Sequence, residues 1–314
     1  MNFFQINHII SVGSVDGICT STALLRLIGA GQTVGLEFCQ AFTVDKVDLT
    51  KWEPNRMVAF VDLAINNRDP QMTADFVRRI REAGHQIMAV CDEHNASDWL
   101  TALGSFDGLL IQPVSQDAGN IKSSGALLMS LFGDNMDEHT RQLCAADAGD
   151  RMDFSTHFGG LVNQAVKSRI ADDSRRVYLA RYFAFNREPD ETITGWIREY
   201  EEILRNHEEI LAAKVDLGDG IVRVNATGRA VDMTTLMNTL YKSGARVVVC
   251  EGEMFNRSLN KKTVQIAFGT NDKSLDLLTI VKAAVPSASG FGQKVNVEPT
   301  DETAALAVIR ASLK

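Results

Sequence analysis

No two of the five cysteines stand as a C-x-x-C pair: Cys19, Cys39, Cys91, Cys144 and Cys250 are scattered, odd in number, and mostly set in apolar runs such as AVC and VVVC. That spacing argues against a zinc ribbon and against a disulfide framework. Positive charge is short as well, with 32 Lys plus Arg against 40 Asp plus Glu and a net charge of −8. An acidic chain is poorly attracted to a nucleic-acid backbone, which disfavours long duplex partners but leaves room for a short anion held through metal ions. The amino terminus, MNFFQINHIISVGS, lacks a basic stretch followed by a long apolar core, and no apolar run approaches the ~20 residues of a membrane span. The expectation is a cytoplasmic protein with no membrane partner. After the first apolar run the chain reads GSVDG rather than G-x-G-x-x-G, so a nicotinamide-binding domain is not indicated.

At 314 residues and 45% hydrophobic content, the chain is long enough for two cored domains. The first half alternates short apolar runs with amphipathic stretches. HIISV (8–12), VGLEF (34–38), MVAFVDL (57–63), QIMAVC (86–91) and GLLI (108–111) read as strands. GICTSTALLRLIG (17–29) reads as a helix, as does a segment with Asp69 at the N-cap and Pro70 at the first helical position. Another begins at SSGALLMSLFG, with Ser123 or Ser124 as its cap. Apolar strands separated by helices predict an α/β fold, with a doubly wound parallel sheet buried on both faces. Beyond about residue 150 the pattern changes to a charged helical stretch over 190–213. Strands and helices then resume, predicting a second, smaller α/β domain of mixed sheet. The expected division is 1–155, a helical connection 156–214, and 215–314.

Acidic residues end three of the strands. Asp16 follows HIISVGSV, Asp62 closes VAFV and Asp92 closes IMAVC. Ligands of parallel α/β sheets bind outside the carboxyl ends of the strands, so these carboxylates are expected to converge there. Each alone could simply cap a following helix. Together at apolar strand ends they call for a cation, and oxygen donors suit Mg²⁺, Mn²⁺ or Ca²⁺ better than zinc.

The surrounding motifs resemble those of the DHH-family phosphoesterases. SVDGICTSTALL is similar to the family's first motif, a strand delivering H-x-D-x-D-G into a helix. FVDL resembles the lone Asp of the second, and VCDEHN the Asp-His-His signature. KSSGALLMSL looks like the Ser-Ser-x-Gly helix start, and AADAGD the fourth acidic motif; all five occur in family order within residues 10–150. The carboxyl-terminal part is similar in outline to the DHHA1 substrate domain, with SGFGQK (289–294) where a G-G-G-H loop is expected. A glycine loop lets backbone N–H groups approach a phosphate.

The resemblance implies Asp16, Asp62, Glu93 and Asp147 as metal ligands, with Glu93 in place of a signature histidine. It implies His94 facing the substrate phosphate, Asp92 orienting its neighbours, and Ser124, Gly290, Gly292, Gln293 and Lys294 on the substrate. Several family positions are altered: Val12 and Ser14 stand where the first motif has a His and an Asp, Gln293 where the glycine loop has its His, and Gly269 where a strand motif has an Arg. One ion of Mn²⁺ or Mg²⁺ is therefore expected rather than two. His157, after the acidic motif, is a weaker ligand candidate, and His8 is expected to point away from the site. The implied activity is metal-dependent hydrolysis of a phosphoester or phosphoanhydride in a small anionic substrate, such as a short single-stranded oligonucleotide, a nucleotide or polyphosphate, at an interdomain cleft. The competing reading is a catalytically silent relative that binds a nucleotide or a protein.

Overall fold

Strand β1 (His8–Val12) alternates its side chains between two separate apolar clusters, Ile9 into one and Ile10 into the other, as a strand with both faces covered must. The computed structural model describes residues 5–29, 33–66, 68–94, 96–112, 123–146, 154–169, 172–256 and 261–313. It divides into two units, Met1–Ile197 and Arg198–Lys314.

In the first unit β1 is followed by α1 (Val15–Leu27), β2 (Gly35–Cys39), β3 (Met57–Val61), α2 (Pro70–Glu82), β4 (Gln86–Cys91), α3 (Ala96–Leu103) and β5 (Leu109–Ile111). Helices α4 (Ser124–Phe132), α5 (Glu138–Cys144), α6 (His157–Lys167) and α7 (Asp173–Phe183) follow, and then α8 (Glu191–Ala212), within which the division between the units falls. The five strands are all parallel, in the order β2-β1-β3-β4-β5. In that order the topological switch lies between β1 and β3, where a crevice opens at the carboxyl ends. Helices α1 and α4 to α7 cover one face, with Phe158 and Phe183 fully buried. Helices α2 and α3 cover the other, around Phe60, Phe76 and Trp99.

The expected parallel α/β sheet is therefore the one found. Three local differences matter. Helix α1 begins two residues earlier than the sequence reading because the Ser14 hydroxyl caps it by accepting from the Gly17 N–H, which puts Asp16 in its first turn. Between β2 and β3 there is no α-helix, only two short 3₁₀ turns at Val44–Lys46 and Leu49–Lys51. And α6 and α7, in the stretch expected to be a connection, pack into the first unit's core.

The second unit, described by itself, carries β6 (Val215–Asp216), β7 (Ile221–Asn225), α9 (Met233–Lys242), β8 (Val247–Asn256), β9 (Lys261–Gly269), α10 (Leu277–Lys282), β10 (Ser289–Phe291), β11 (Lys294–Val297) and α11 (Glu302–Ser312). Its sheet runs β10-β11-β9-β8-β7-β6 and is mixed: β7 and β8 are parallel and the other pairs antiparallel. SGFGQK, where the resemblance places a glycine loop, forms the β10–β11 hairpin. Gly290 is required there, since its φ is 144° and a Cβ would collide with the Lys294 carbonyl oxygen. The turn's carbonyls at Gly292 and Gln293 accept from the N–H groups of Leu277 and Thr270. At Gly269 the Tyr241 hydroxyl lies 2.6 Å from where a Cβ would stand, so the arginine of the family pattern would have to displace Tyr241.

Candidate metal centre

The carboxyl edge of the first sheet is assembled from four loops. Asp16 enters from the first turn of α1 and is buried. Its Oδ1 accepts from the Thr20 hydroxyl one turn along, at 2.9 Å, and from the Gly125 N–H at 3.2 Å; its Oδ2 accepts from the Ser124 N–H at 2.7 Å. Two of these donors are the leading amides of α4, whose positive end faces the carboxylate. Asp62 follows β3, with its N–H donating to Cys91 O at 2.8 Å, and it adopts φ 52°, in the left-handed region. Few L-residues other than Asn and Asp tolerate that conformation, and such backbone outliers gather at functional sites. The Ser14 hydroxyl donates to Asp62 Oδ2 at 2.6 Å. Glu93 follows β4 and receives the Ser124 hydroxyl on Oε2 at 2.6 Å.

Ligand atoms of Asp16, Asp62 and Glu93 all lie within 4.8 Å of one another. Two oxygens on one cation are separated by at most about twice a metal–oxygen distance of 2.0–2.6 Å, so the three fit a single coordination sphere. Burial pushes the Asp16 carboxyl up to about 7, and the neighbouring Glu93 charge adds to it against the Ser124, Thr20 and Gly125 hydrogen bonds. Asp62 is raised well above the usual carboxylate range, first by burial, then by the charges of Asp16 and Glu93. Burial raises Glu93 too. Carboxylates that raise one another in this way are relieved by a divalent ion, and hard oxygen donors suit Mn²⁺ or Mg²⁺.

None of the three strand-end acids is a helix N-cap: Ser14 caps α1, Asp69 caps α2, and α3 starts four residues after Asp92. The alternative that these residues serve as caps therefore does not describe them. Asp92 is 1% exposed, and both its oxygens are engaged. Trp99 Nε1 donates to Oδ2 at 2.9 Å, and His94 Nδ1 stands 2.8 Å from Oδ1. Asp92, Glu93 and His94 also have ligand atoms within 4.8 Å of one another, but an Asp92 committed to Trp99 and His94 is better placed to orient than to ligate. His94 is half exposed, and its Nδ1 is 3.5 Å from Glu93 Oε1.

Other expected residues fall differently. Ser124, expected on the substrate, has no exposed surface: its amide and hydroxyl are spent on Asp16 and Glu93, so it supports the carboxylates. Val12 packs on the apolar cluster under α2 and α3. His157 Nε2 is 2.9 Å from the Arg187 carbonyl oxygen at the start of α6. His8 is buried at the opposite, amino end of β1. Asp147 lies outside the described residues. Gly290, Gly292, Gln293 and Lys294 belong to the second unit's hairpin, where burial lowers the Lys294 ammonium pKa. The sequence reading missed Thr20, Trp99 and the hydroxyl of Ser14 as partners of the acids. Thr20 was findable, lying four residues from Asp16 on one helical face; Trp99 carries no local signal.

The whole fold is similar to that of solved structures. One is the pGpG-specific phosphodiesterase PggH from Vibrio cholerae, with a TM-score of 0.63 and 11% identity over 98% of this chain and 98% of that one. Another is RecJ in complex with Mn²⁺ from Thermus thermophilus, with a TM-score of 0.59 and 12% identity over 98% of this chain and 52% of that one. A third is exonuclease RecJ bound to manganese, with a TM-score of 0.54 and 14% identity over 98% and 90%. No family model and no curated protein matches the chain. The fold implied by the DHH resemblance is the fold observed. Among the described residues no helix is long and apolar enough to cross a membrane.

Proposed function

We propose that the chain is a divalent-cation-dependent phosphoesterase acting on a short single-stranded oligonucleotide or nucleotide. The observation that carries this is the convergence of Asp16, Asp62 and Glu93, each raised above its ordinary pKa, at the switch point of a sheet whose fold is shared with a pGpG phosphodiesterase and an exonuclease. One Mn²⁺ or Mg²⁺ held by these three would neutralise a phosphoryl group and acidify water beside it. The protein's own part is positional. The α4 amides and Thr20 fix Asp16, Ser14 fixes Asp62 and Ser124 fixes Glu93, so the oxygens are aimed before substrate arrives. Asp92, locked by Trp99, stands 2.8 Å from Nδ1 of His94 and so orients its ring. His94 then serves as proton donor to the leaving oxygen, or stabilises its charge.

A second reading, a silent binder, draws on Val12 and Ser14: one packs in an apolar cluster and the other spends its hydroxyl on Asp62 and on capping α1. Turnover of bis-p-nitrophenyl phosphate and of pGpG with Mn²⁺ decides between them. Cation-dependent release of product that is lost in Asp62→Asn supports the enzyme; one bound nucleotide without turnover supports the binder.

A further inference from the structure

A cavity of about 570 Å³ opens at the carboxyl ends of β1 and β2, a volume in the range that holds small-molecule ligands. Its lining includes Gly13, Phe42, Lys46 and Arg176. Its position follows from one turn of chain. The Gly13 carbonyl accepts from Arg176 Nε at 3.1 Å, while the next residue, Ser14, donates to Asp62. Consecutive Cα atoms are ~3.8 Å apart, so the cavity begins about one residue from the carboxylate cluster. A substrate whose phosphate sits at the carboxylates would extend directly into it.

The walls have the chemistry of a nucleotide's neighbour. Phe42 stands 57% exposed at the tip of a tight turn that is closed by Thr43 N–H to Gln40 O at 2.8 Å and by Gln40 N–H to the Thr43 hydroxyl at 3.0 Å. An aromatic ring held out by a fixed turn is a stacking surface prepared in advance. Lys46 sits in the following 3₁₀ turn, which Arg79 braces by donating to the carbonyls of Asp45 and Val47 at 2.9 and 2.8 Å. Arg176 is buried at 7% exposure, stretched along the Gly13 backbone where no side chain at that position could coexist with it, and ion-paired with Asp173. The anions of the wall are engaged: Asp173 by Arg176, and Glu37 by Trp52 Nε1 at 2.9 Å. Lys46 itself is exposed on that wall.

We propose that this cavity is a nucleoside subsite, in which the base flanking the reacting phosphate stacks on Phe42 while its ribose or phosphate meets Lys46 and Arg176. The assignment rests on the reading of the carboxylates as a hydrolytic centre, and it narrows the substrate to one carrying an aromatic base next to the scissile phosphate.

The test uses the full chain with pGpG as probe, first by calorimetry with chelator and no added cation, so that binding does not pass through the carboxylates. Phe42→Ala should weaken pGpG about 10-fold, Phe42→Trp should restore it, and Lys46→Glu should weaken it most at low salt. With Mn²⁺ present, the ratio of kcat/KM for pGpG to that for bis-p-nitrophenyl phosphate should fall about 10-fold in Phe42→Ala. Phe42 is exposed, so unfolding is not expected to confuse the result, and a melting curve checks it. Wild-type affinity in both Phe42→Ala and Lys46→Glu overturns the subsite. A protein that binds pGpG through Phe42 yet hydrolyses neither ester with any divalent cation upholds the subsite and overturns the hydrolase reading instead.

Discussion

At the carboxyl end of the first unit's sheet, Asp16 and Asp62 are buried side chains pushed toward protonation; at the amino end, His8 is a buried side chain pushed away from it. Burial is the leading cause in both places, yet the surroundings differ in kind. The His8 ring lies tilted against Trp52 with centroids 3.9 Å apart, with His85 beyond it, and burial, then the charges of Arg56 and His85, lower its pKa to about 3. Glu37 is 4.0 Å from it, and neither ring nitrogen has a hydrogen-bond partner. Nothing there converges on a common point. At the other end three like charges share a point and are served by hydroxyl and amide donors that keep them there. A displaced pKa is therefore a property of burial, and only convergence of like charges with fixed geometry makes it a candidate site.

The comparison breaks most severely at Asp62. Replacing it by Asn keeps the left-handed backbone but removes the carboxylate charge and one of its oxygens, and Mn²⁺-dependent turnover of bis-p-nitrophenyl phosphate should fall by roughly 100-fold or more. Next comes the cation itself. If the carboxylates form its site, Mn²⁺ at a hundredfold excess over its Kd should stabilise the fold by about 2.7 kcal/mol in chemical denaturation, with one ion per chain by calorimetry, and Asp62→Asn should abolish both.

The amino end should respond to pH in the sense fixed by its neutral histidine. His8 has its ordinary pKa of 6.5 when unfolded and about 3 when folded, so the unfolded chain takes up the proton first. Its contribution is complete above pH 6.5 and declines as pH falls toward 3, costing about 2 kcal/mol at pH 5. Urea midpoints measured from pH 7.5 to 5 should show this slope flattened in His8→Leu. The smallest effect belongs to Ser124→Ala, which leaves Glu93 without its 2.6 Å donor; the cation should bind about 10-fold more weakly while the apo fold melts nearly as before.

The strands that carry the site were legible because each is a short apolar run flanked by turn residues: β1, β4 and the Asp69-Pro70 start of α2 fall where the sequence pattern puts them. Of the three acids brought together, Asp16 and Asp62 stand out by their place at strand ends and Glu93 by its place in family order. Helix α7 was not legible. Its sequence, DSRRVYLARYF, spreads charge around the helix and shows no apolar face, yet Arg175 and Arg176 are both buried. Their burial is made possible by partners that periodicity cannot register: Asp172 and Ser168 for Arg175, Asp173 and the Gly13 carbonyl for Arg176. At SGFGQK the glycines mark a turn, whereas the pairing of the residues on either side into a hairpin carries no signal in so short a stretch. Ser14 was read only as an absent ligand, since its roles as cap and as donor to a residue 48 positions away exist only in the folded chain.

The backbone of Asp62 also narrows how such a protein could drift. A left-handed φ costs most L-residues about 1–2 kcal/mol, and Gly, Asn and Asp are the usual exceptions. A lineage that gives up the carboxylate here without losing the fold is thus steered toward Asn or Gly. No such steering acts at Glu93, whose backbone is not in the left-handed region. Among sibling sequences, Asn or Gly at position 62 would mark a line that gave up the carboxylate and kept the turn, whereas a bulky residue there would mean that the turn itself had been rebuilt.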